Sequence, residues 1–140
     1  MKKRGARSGD RLWLSISGGA FVLAAAGVLL LPLPWLAAAL GAGTAHELGH
    51  LLALRAMGEP IREIRLGVFG AAIELDSLSP GRELVSAAAG PGAGLALVLL
   101  GRWMPRLAFC AAVQSAFNLL PIFPMDGGRI RSALGAMRKK

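Results

Sequence analysis

His46-Glu47-Leu48-Gly49-His50 lies within a run of apolar sequence and contains both histidines of the chain. On a helix, residues four apart share a face, so His46 and His50 can bind one metal ion together, with Glu47 beside it. The pattern H-E-x-x-H is typical of zinc hydrolases, in which the glutamate acts as general base. Because a free histidine pair is costly in an apolar helix, a metal site explains the stretch better than coincidence. A third ligand must then come from elsewhere in the chain.

The composition indicates a small integral membrane protein rather than a soluble domain. Of the 140 residues, 54% are hydrophobic and only 17% are charged. No stretch is long and polar enough to be a linker, so residues 1–140 are predicted to form one domain. The net charge of +8 comes from the two ends and the short connections, which does not favour direct binding to nucleic acid. The single cysteine, Cys110, lies in an apolar run and is expected to serve packing.

The N-terminal part predicts a basic segment followed by two membrane spans. Residues 1–11 carry five lysines and arginines, and residues 12–45 carry no charge. As one helix this uncharged run would be about 51 Å long, whereas a hydrocarbon core is about 30 Å thick. Pro32 and Pro34 divide it, because proline lacks a backbone donor and disfavours helix before it. Two further uncharged runs follow, so the predicted spans are 12–31, 35–57, 84–101 and 107–123.

Residues 58–80 are predicted to form a short membrane-associated β-hairpin or small sheet between the second and third spans. Charged residues are mixed with β-branched ones there, and Gly67 and Gly70 punctuate the stretch. A plain amphipathic connection is the alternative. The expected fold class is therefore mainly α, a polytopic membrane protein with about four transmembrane helices.

Polar and small residues in the last two predicted spans indicate a cleft. Gly90 has no side chain, so another backbone can approach the helix closely there. Pro91 bends or opens the same helix. Gln114 and Asn118 share a face of the fourth span. Because intramembrane polar groups usually face the bundle interior, both are candidates either for substrate contact or for a hydrogen bond between helices.

The distribution of basic residues predicts the orientation in the membrane. If the N-terminus is cytoplasmic, 14 of the 16 lysines and arginines lie on the cytoplasmic side, including the tail 127–140. Both termini are therefore predicted to be cytoplasmic, and His46 to lie in the cytoplasmic half of the membrane.

The stretch that reads NLLPIFPMDGGR, residues 118–129, offers the third ligand. Pro121 and Pro124 forbid a regular helix, and the two glycines after Asp126 allow a tight turn. Asp126 could thus complete a site of two histidines and one carboxylate and leave a fourth position for water. An ordinary Asp-Gly-Gly turn is the alternative.

The chain resembles the site-2 protease family of intramembrane zinc metalloproteases in three motifs and their order. These are HELGH in one predicted span, Gly-Pro in a later span, and NLLPIFPMDGG after that. The similarity covers about residues 35–132 and is closest to the short sporulation-type branch, similar to factor IVB, which lacks PDZ and CBS domains. The resemblance implies that His46, His50 and Asp126 bind one zinc ion and that Glu47 is the catalytic glutamate. It also implies that the predicted strand region accepts an unwound substrate as an added strand.

The resemblance further implies a reaction, partners and a location. The expected reaction is regulated intramembrane proteolysis, in which a peptide bond in or near a transmembrane segment of a membrane-tethered substrate is hydrolysed. A transcription factor precursor is the expected substrate, the bacterial cytoplasmic membrane the expected location, and a regulatory membrane partner or a second copy a further partner. The family often has an asparagine shortly after its Gly-Pro, whereas residues 92–94 read Gly-Ala-Gly. Asn118 and Gln114 are the candidates to replace it.

Two other functions are compatible with parts of the sequence. A zinc-binding membrane protein without proteolytic activity, or a pseudo-protease regulator, would explain both histidines but would give Glu47 no necessary role. A small scaffold or inhibitor that only packs against partner helices would explain the small-residue spacing but not the proposed zinc ligands. Comparing cleavage by wild type and Glu47→Gln separates a protease from the first alternative, and measuring bound zinc tests the second.

Overall fold

The part of the chain that the structure describes contains five helices and three strands. A computed structural model describes residues 13–16, 18–60, 63–67, 70–74 and 78–139, and the basic segment 1–11 lies outside these ranges. In chain order the elements are β1 Trp13–Ile16, α1 Gly18–Leu30, α2 Leu33–Ala56, β2 Glu63–Gly67, β3 Gly70–Glu74, α3 Pro80–Val98, α4 Pro105–Asn118 and α5 Asp126–Arg138.

The prediction of a polytopic protein with four membrane-spanning helices is wrong. Within the described ranges, no helix is both long enough and apolar enough to cross a membrane. α1 has 13 residues and α4 has 14, which makes each about 20 Å long against the roughly 30 Å of a hydrocarbon core. α2 has 24 residues but carries three polar site residues, and α3 has 19 but begins with a charged turn. The predicted cytoplasmic placement of both termini depended on those spans and loses its basis with them.

The region between α2 and α3 forms part of a small sheet. β2 and β3 are antiparallel, with Ile64 opposite Ile73. β1 runs parallel to β2, with Leu14 opposite Ile64, and the strand order is β1-β2-β3. The sheet therefore has three strands rather than about two. Its third strand takes residues 13–16 from the first predicted span, which is why α1 begins only at Gly18.

The helices α2, α3, α4 and α5 pack on one another through small residues. Gly49 of α2 lies so close to α3 that a Cβ on it would be 2.5 Å from the carbonyl oxygen of Ala89. Gly94 of α3 lies directly against the hydroxyl of Ser115 on α4. Close approach of backbones, rather than burial of large side chains, therefore holds these helices together. Among the residues whose burial the structure describes, the buried apolar side chains are Ala38, Ala42, Leu54, Ala87, Ala108, Ala111 and Ala133.

Many large apolar side chains lie on the outside of the described structure. Leu29, Leu99 and Phe123 are each at least 80% exposed, and they belong to α1, the end of α3 and the segment before α5. Soluble monomers rarely leave large apolar patches uncovered, and exposure of this kind marks surfaces that contact lipid or another protein. The described structure thus has large apolar side chains at surface positions where a soluble domain would have polar ones.

The predicted basic tail 127–140 is for the most part a helix. α5 covers Asp126–Arg138 and packs against α3, with Gly127, Gly128 and Ala133 buried. Lys140 lies outside the described residues. Because α5 returns to α3, it brings Asp126 to the centre of the helical group.

Candidate metal centre

α2 carries both histidines on one buried face. Its alanine-rich sequence favours helix, and Pro34 stands in the first turn, where a missing backbone donor costs nothing. His46 and His50 follow one helical turn apart and are 3% and 6% exposed. Their Nε2 atoms lie 3.2 Å apart, with the ring planes nearly perpendicular at 82°. Both imidazoles therefore direct a nitrogen at the same place.

Asp126 reaches that place from the first turn of α5. Its Oδ2 lies 3.1 Å from Nε2 of His46 and 3.2 Å from Nε2 of His50. The following glycines make this approach possible, because α5 begins in direct contact with the chain that precedes it. A Cβ on Gly127 would overlap the carbonyl oxygen of Leu119. The two glycines are thus required by close packing.

The three donor atoms have the spacing of zinc ligands. All three of their mutual distances are 3.1–3.2 Å. Ligands held about 2.0–2.1 Å from a tetrahedral zinc ion lie about 3.3 Å from one another. Among the residues that the structure describes, these side chains form the one group of three or more suitable for a metal, and all three are buried. The residues present therefore fit a zinc ion, with a fourth position left for another ligand.

α3 supports His50 from two sides. The Nδ1–H of His50 donates a hydrogen bond to the backbone carbonyl of Ser86 at 2.7 Å. Since a carbonyl can only accept, Nδ1 carries a proton, so in the neutral ring the lone pair is on Nε2 and is available to a metal. The ring also lies against Gly90, where a Cβ would be 2.7 Å from Cδ2 of His50 and closer still to Nε2. The imidazole is therefore held in the orientation that a metal ligand needs.

The charges at the site are set by burial and by mutual hydrogen bonds. Burial raises the pKa of the Asp126 carboxyl, but hydrogen bonds to His46 and His50 outweigh burial and bring that pKa well below its usual value. Burial lowers the pKa of His50, but the hydrogen bond and charge of Asp126, with the Ser86 carbonyl, raise it overall. Asp126 is therefore ionised at neutral pH, whereas a metal ion competes with a proton for His50.

Known proteins resemble the chain in sequence and in fold. No protein-family model matches the chain. A candidate zinc metalloprotease of Synechocystis sp. is 33% identical over 106 residues, which cover 64% of this chain and 28% of that protein. A zinc metalloprotease of Methanocaldococcus jannaschii is 31% identical over 103 residues, covering 64% of this chain and 30% of that protein. The solved site-2 protease of Methanocaldococcus jannaschii has the same fold, with a TM-score of 0.74 at 22% identity over 90% of this chain and 68% of that one.

The relatives are named zinc metalloproteases and the structure with the same fold is a site-2 protease, which together support the predicted site-2 protease family. The sporulation-type branch is not distinguished by these comparisons and stays a prediction. One zinc ion is the cofactor, which the relatives' names and the group of His46, His50 and Asp126 both support. The chain spans less than a third of the length of the curated relatives it matches, 28% and 30%.

Glu47 stands next to the donor group on α2. The side chain is half-buried, and its negative charge is among the causes that raise the pKa of His50. Glu47 directly follows His46 on the same helix.

The two predicted cleft residues of α3 have different surroundings. Gly90 lies at the site, in contact with the ring of His50. Pro91 is buried inside α3, and its carbonyl accepts a hydrogen bond from Oγ of Ser115 at 3.3 Å. Gly90 therefore shapes the ligand position, whereas Pro91 joins α3 to α4.

The two predicted cleft residues of α4 are both half-buried. Gln114 is half-buried and faces α2, where a Cβ on Gly43 would be 3.7 Å from its Nε2. Asn118 is half-buried at the end of α4, and no described hydrogen bond joins its amide to the three donor residues. A role for either in substrate contact stays a prediction.

Sequence reasoning missed two supports of the site, the Ser86 carbonyl and the Arg129 side chain. The carbonyl has no signature in the sequence, because every residue supplies one. Arg129 donates from Nη1 to Oδ1 of Asp126 at 3.3 Å, three residues along α5. That spacing is the one at which charges pair on a helix, so the pair could have been found once α5 was known to begin at Asp126.

Proposed function

We propose that the chain is an intramembrane zinc metalloendopeptidase that hydrolyses a peptide bond in or near a transmembrane segment of a membrane-tethered protein. The observation that carries this proposal is the buried triangle of His46 Nε2, His50 Nε2 and Asp126 Oδ2, with edges of 3.1–3.2 Å. The names of the curated relatives support a metalloprotease. The intramembrane type is supported by the family and by the apolar exterior.

The residues of the site have distinct roles in this proposal. His46, His50 and Asp126 hold the ion, and the Ser86 carbonyl orients His50. When bound, zinc supplies the Lewis acidity that lowers the pKa of a water molecule and polarises a peptide carbonyl. Glu47 accepts the proton of the attacking water and returns it to the leaving amine. Burial of the three ligands restricts water at the site and strengthens these electrostatic interactions.

The sheet is the proposed place for the substrate backbone. A helical amide is protected by its own hydrogen bonds, so a transmembrane substrate must unwind before it is cut. With the strand order β1-β2-β3, β3 is an edge strand among the described residues. An extended segment added to this edge would be held by main-chain hydrogen bonds, which depend little on its sequence.

The apolar exterior supports a location at a bacterial membrane. Side chains such as Leu29, Leu99 and Phe123 would contact lipid without the cost of exposing them to water. A substrate held in the same bilayer, such as a transcription factor precursor, would then meet the site by diffusion in two dimensions. A regulatory membrane partner or a second copy of the chain would bind the same kind of surface.

The proposal is tested by co-expression with a single-span membrane protein as candidate substrate. Glu47→Gln removes the proton acceptor but none of the three ligands, so we expect bound zinc to remain while cleavage falls by at least about 100-fold. Glu59→Gln makes the same chemical change at a carboxylate that pairs with Arg82, away from the ligands, and should cleave like wild type. Cleavage is measured by immunoblot, and zinc by metal analysis of the purified protein.

Unchanged cleavage by Glu47→Gln would refute the protease assignment. Zinc bound by wild type without cleavage of any membrane substrate would instead favour a non-proteolytic zinc-binding protein or a pseudo-protease regulator. Absence of zinc from the purified wild type would refute both.

A further inference from the structure

The second carboxylate oxygen of Asp126 has a partner of its own. Oδ2 faces the two histidines, whereas Oδ1 accepts a hydrogen bond from Nη1 of Arg129 at 3.3 Å. The Asp126 side chain is 8% exposed and that of Arg129 is 30% exposed. Arg129 therefore reaches the buried carboxylate from outside and engages the oxygen that faces away from the histidines.

Glu83 holds Arg129 in this position. Nε of Arg129 donates a hydrogen bond to Oε1 of Glu83 at 2.8 Å. Glu83 lies in the first turn of α3 and is half-buried. Because the guanidinium is planar and rigid, bonds from two of its nitrogens fix the orientation of the whole group. The series Glu83, Arg129, Asp126 thus connects the start of α3 to the start of α5.

One turn of α3 consequently orients ligands from two other helices. Ser86, three residues after Glu83, accepts the hydrogen bond from His50 of α2. Glu83 acts on Asp126 of α5 through Arg129. The relative position of the two ligands therefore depends on a single short segment, residues 83–86.

The charges of Arg129 and Glu83 also offset each other. A positive charge beside Asp126 would by itself repel a bound cation and weaken its binding. The carboxylate of Glu83, 2.8 Å from Nε, offsets that charge. Arg129 can therefore serve as a geometric support without adding a large net charge to the site.

We propose that Arg129, held by Glu83, is a positioning residue that keeps Asp126 a single-oxygen ligand of the metal. This inference rests on the metal site proposed above. With Oδ1 engaged by Arg129, only Oδ2 is directed at the histidine nitrogens. Without Arg129, the carboxylate can rotate and offer both oxygens, as carboxylates do at many metal sites. A second oxygen would occupy the position that water needs for hydrolysis.

The inference is tested with purified full-length variants by zinc affinity and by the visible spectrum of the cobalt-substituted protein. Affinity is measured by competition with a chromophoric chelator. We expect Arg129→Gln to weaken zinc binding by about 10- to 100-fold, because the metal must then order the unsupported carboxylate, and this cost exceeds the gain from a second, weaker oxygen contact. Four-coordinate cobalt absorbs more strongly than five-coordinate cobalt, so two-oxygen binding by Asp126 should also lower the absorbance.

Two further substitutions separate positioning from charge. Arg129→Lys keeps the charge but cannot donate from two rigidly linked nitrogens. On a logarithmic scale, its zinc affinity should therefore lie closer to that of Arg129→Gln than to that of wild type. Glu83→Gln should weaken zinc binding less than Arg129→Gln does. Arg131→Gln removes an exposed arginine from the same helix and is the matched control, expected to behave like wild type.

A zinc affinity within twofold of wild type for Arg129→Gln would overturn the inference, as would an unchanged cobalt spectrum or an equal loss in Arg131→Gln. These results would leave the metal site itself intact, since wild type would still bind zinc. Failure of wild type to bind zinc would overturn the proposed function together with this inference. Should Arg129→Gln not fold, Arg129→Lys and Glu83→Gln provide the same two readouts.

Discussion

The two sides of the metal centre are built differently. On the histidine side, α2 alone supplies two ligands one turn apart, and their spacing follows from the helix. On the carboxylate side, Asp126 lies 76 residues beyond His50 and depends on the packing of α5, on two glycines and on Arg129. On the histidine side the ligand spacing is therefore fixed within one helix, and only groups that touch the rings can disturb it. On the carboxylate side, a change in the packing of α5 can displace the ligand itself.

The largest expected effect is on the histidine side, at Gly90. Gly90→Ala places a methyl group in the position of the His50 ring, so that ring must leave its orientation. We expect zinc affinity to fall by at least about 100-fold, the upper end of what disturbing a ligand's support costs. Gly92→Ala on the same helix meets no atom within 4 Å and is the matched control.

Zinc affinity and thermal unfolding are measured for both alanine variants. Alanine stabilises a helix interior by about 1 kcal/mol relative to glycine, so Gly92→Ala should bind zinc normally and be slightly more stable. Equal zinc affinities for the two variants would show that His50 is not confined by α3.

An intermediate effect is expected on the carboxylate side, at Gly127. Gly127→Ala overlaps the backbone carbonyl of Leu119, which cannot move away as a flexible side chain would. We expect zinc affinity to fall by about 10- to 100-fold and the free energy of unfolding by about 1–3 kcal/mol. Gly135→Ala, in open space on the same helix, is the control for a glycine substitution in α5.

Chelator competition and denaturant unfolding distinguish the two sides. If the sides differ as argued, Gly127→Ala lowers stability and zinc affinity together. A variant that binds zinc like wild type while being less stable would show that Asp126 tolerates movement of α5, and the proposed contrast would fail.

The smallest effect is expected at Ser115, which joins α4 to α3. Ser115→Ala removes the hydrogen bond to the Pro91 carbonyl, 3.3 Å long and buried. The free energy of unfolding should fall by about 1 kcal/mol, with zinc affinity unchanged. A loss of zinc binding in this variant would show that α4 also positions the ligands.

The two sides of the site also differed in how well the sequence predicted them. The spacing of His46 and His50 predicted that they share a helix face, because residues four apart point in nearly the same direction from the helix axis. Asp126 was predicted through its surroundings of proline and glycine and through a family resemblance. Its supports were not predicted, because Glu83 and Ser86 become neighbours of the site only when α3 packs against α2 and α5.

The membrane spans show the opposite outcome. An uncharged run of residues 12–45 predicted two spans, but β1 occupies 13–16 and α1 ends at Leu30. The absence of charged residues shows that a stretch is apolar, but it does not show whether the stretch forms a helix or a strand. Pairing with β2, which lies 50 residues later, decides that replacement.

The sequence by itself therefore predicted the donor residues, the two histidines from the helical period, which is a local property, and Asp126 from its surroundings and the family resemblance. Only the tertiary structure decided how those donors are oriented. The Ser86 carbonyl, the contact of Gly90 with His50 and the series Glu83, Arg129, Asp126 all join residues distant in the chain. Such contacts form when helices pack, and their geometry depends on close backbone approach that no local pattern specifies.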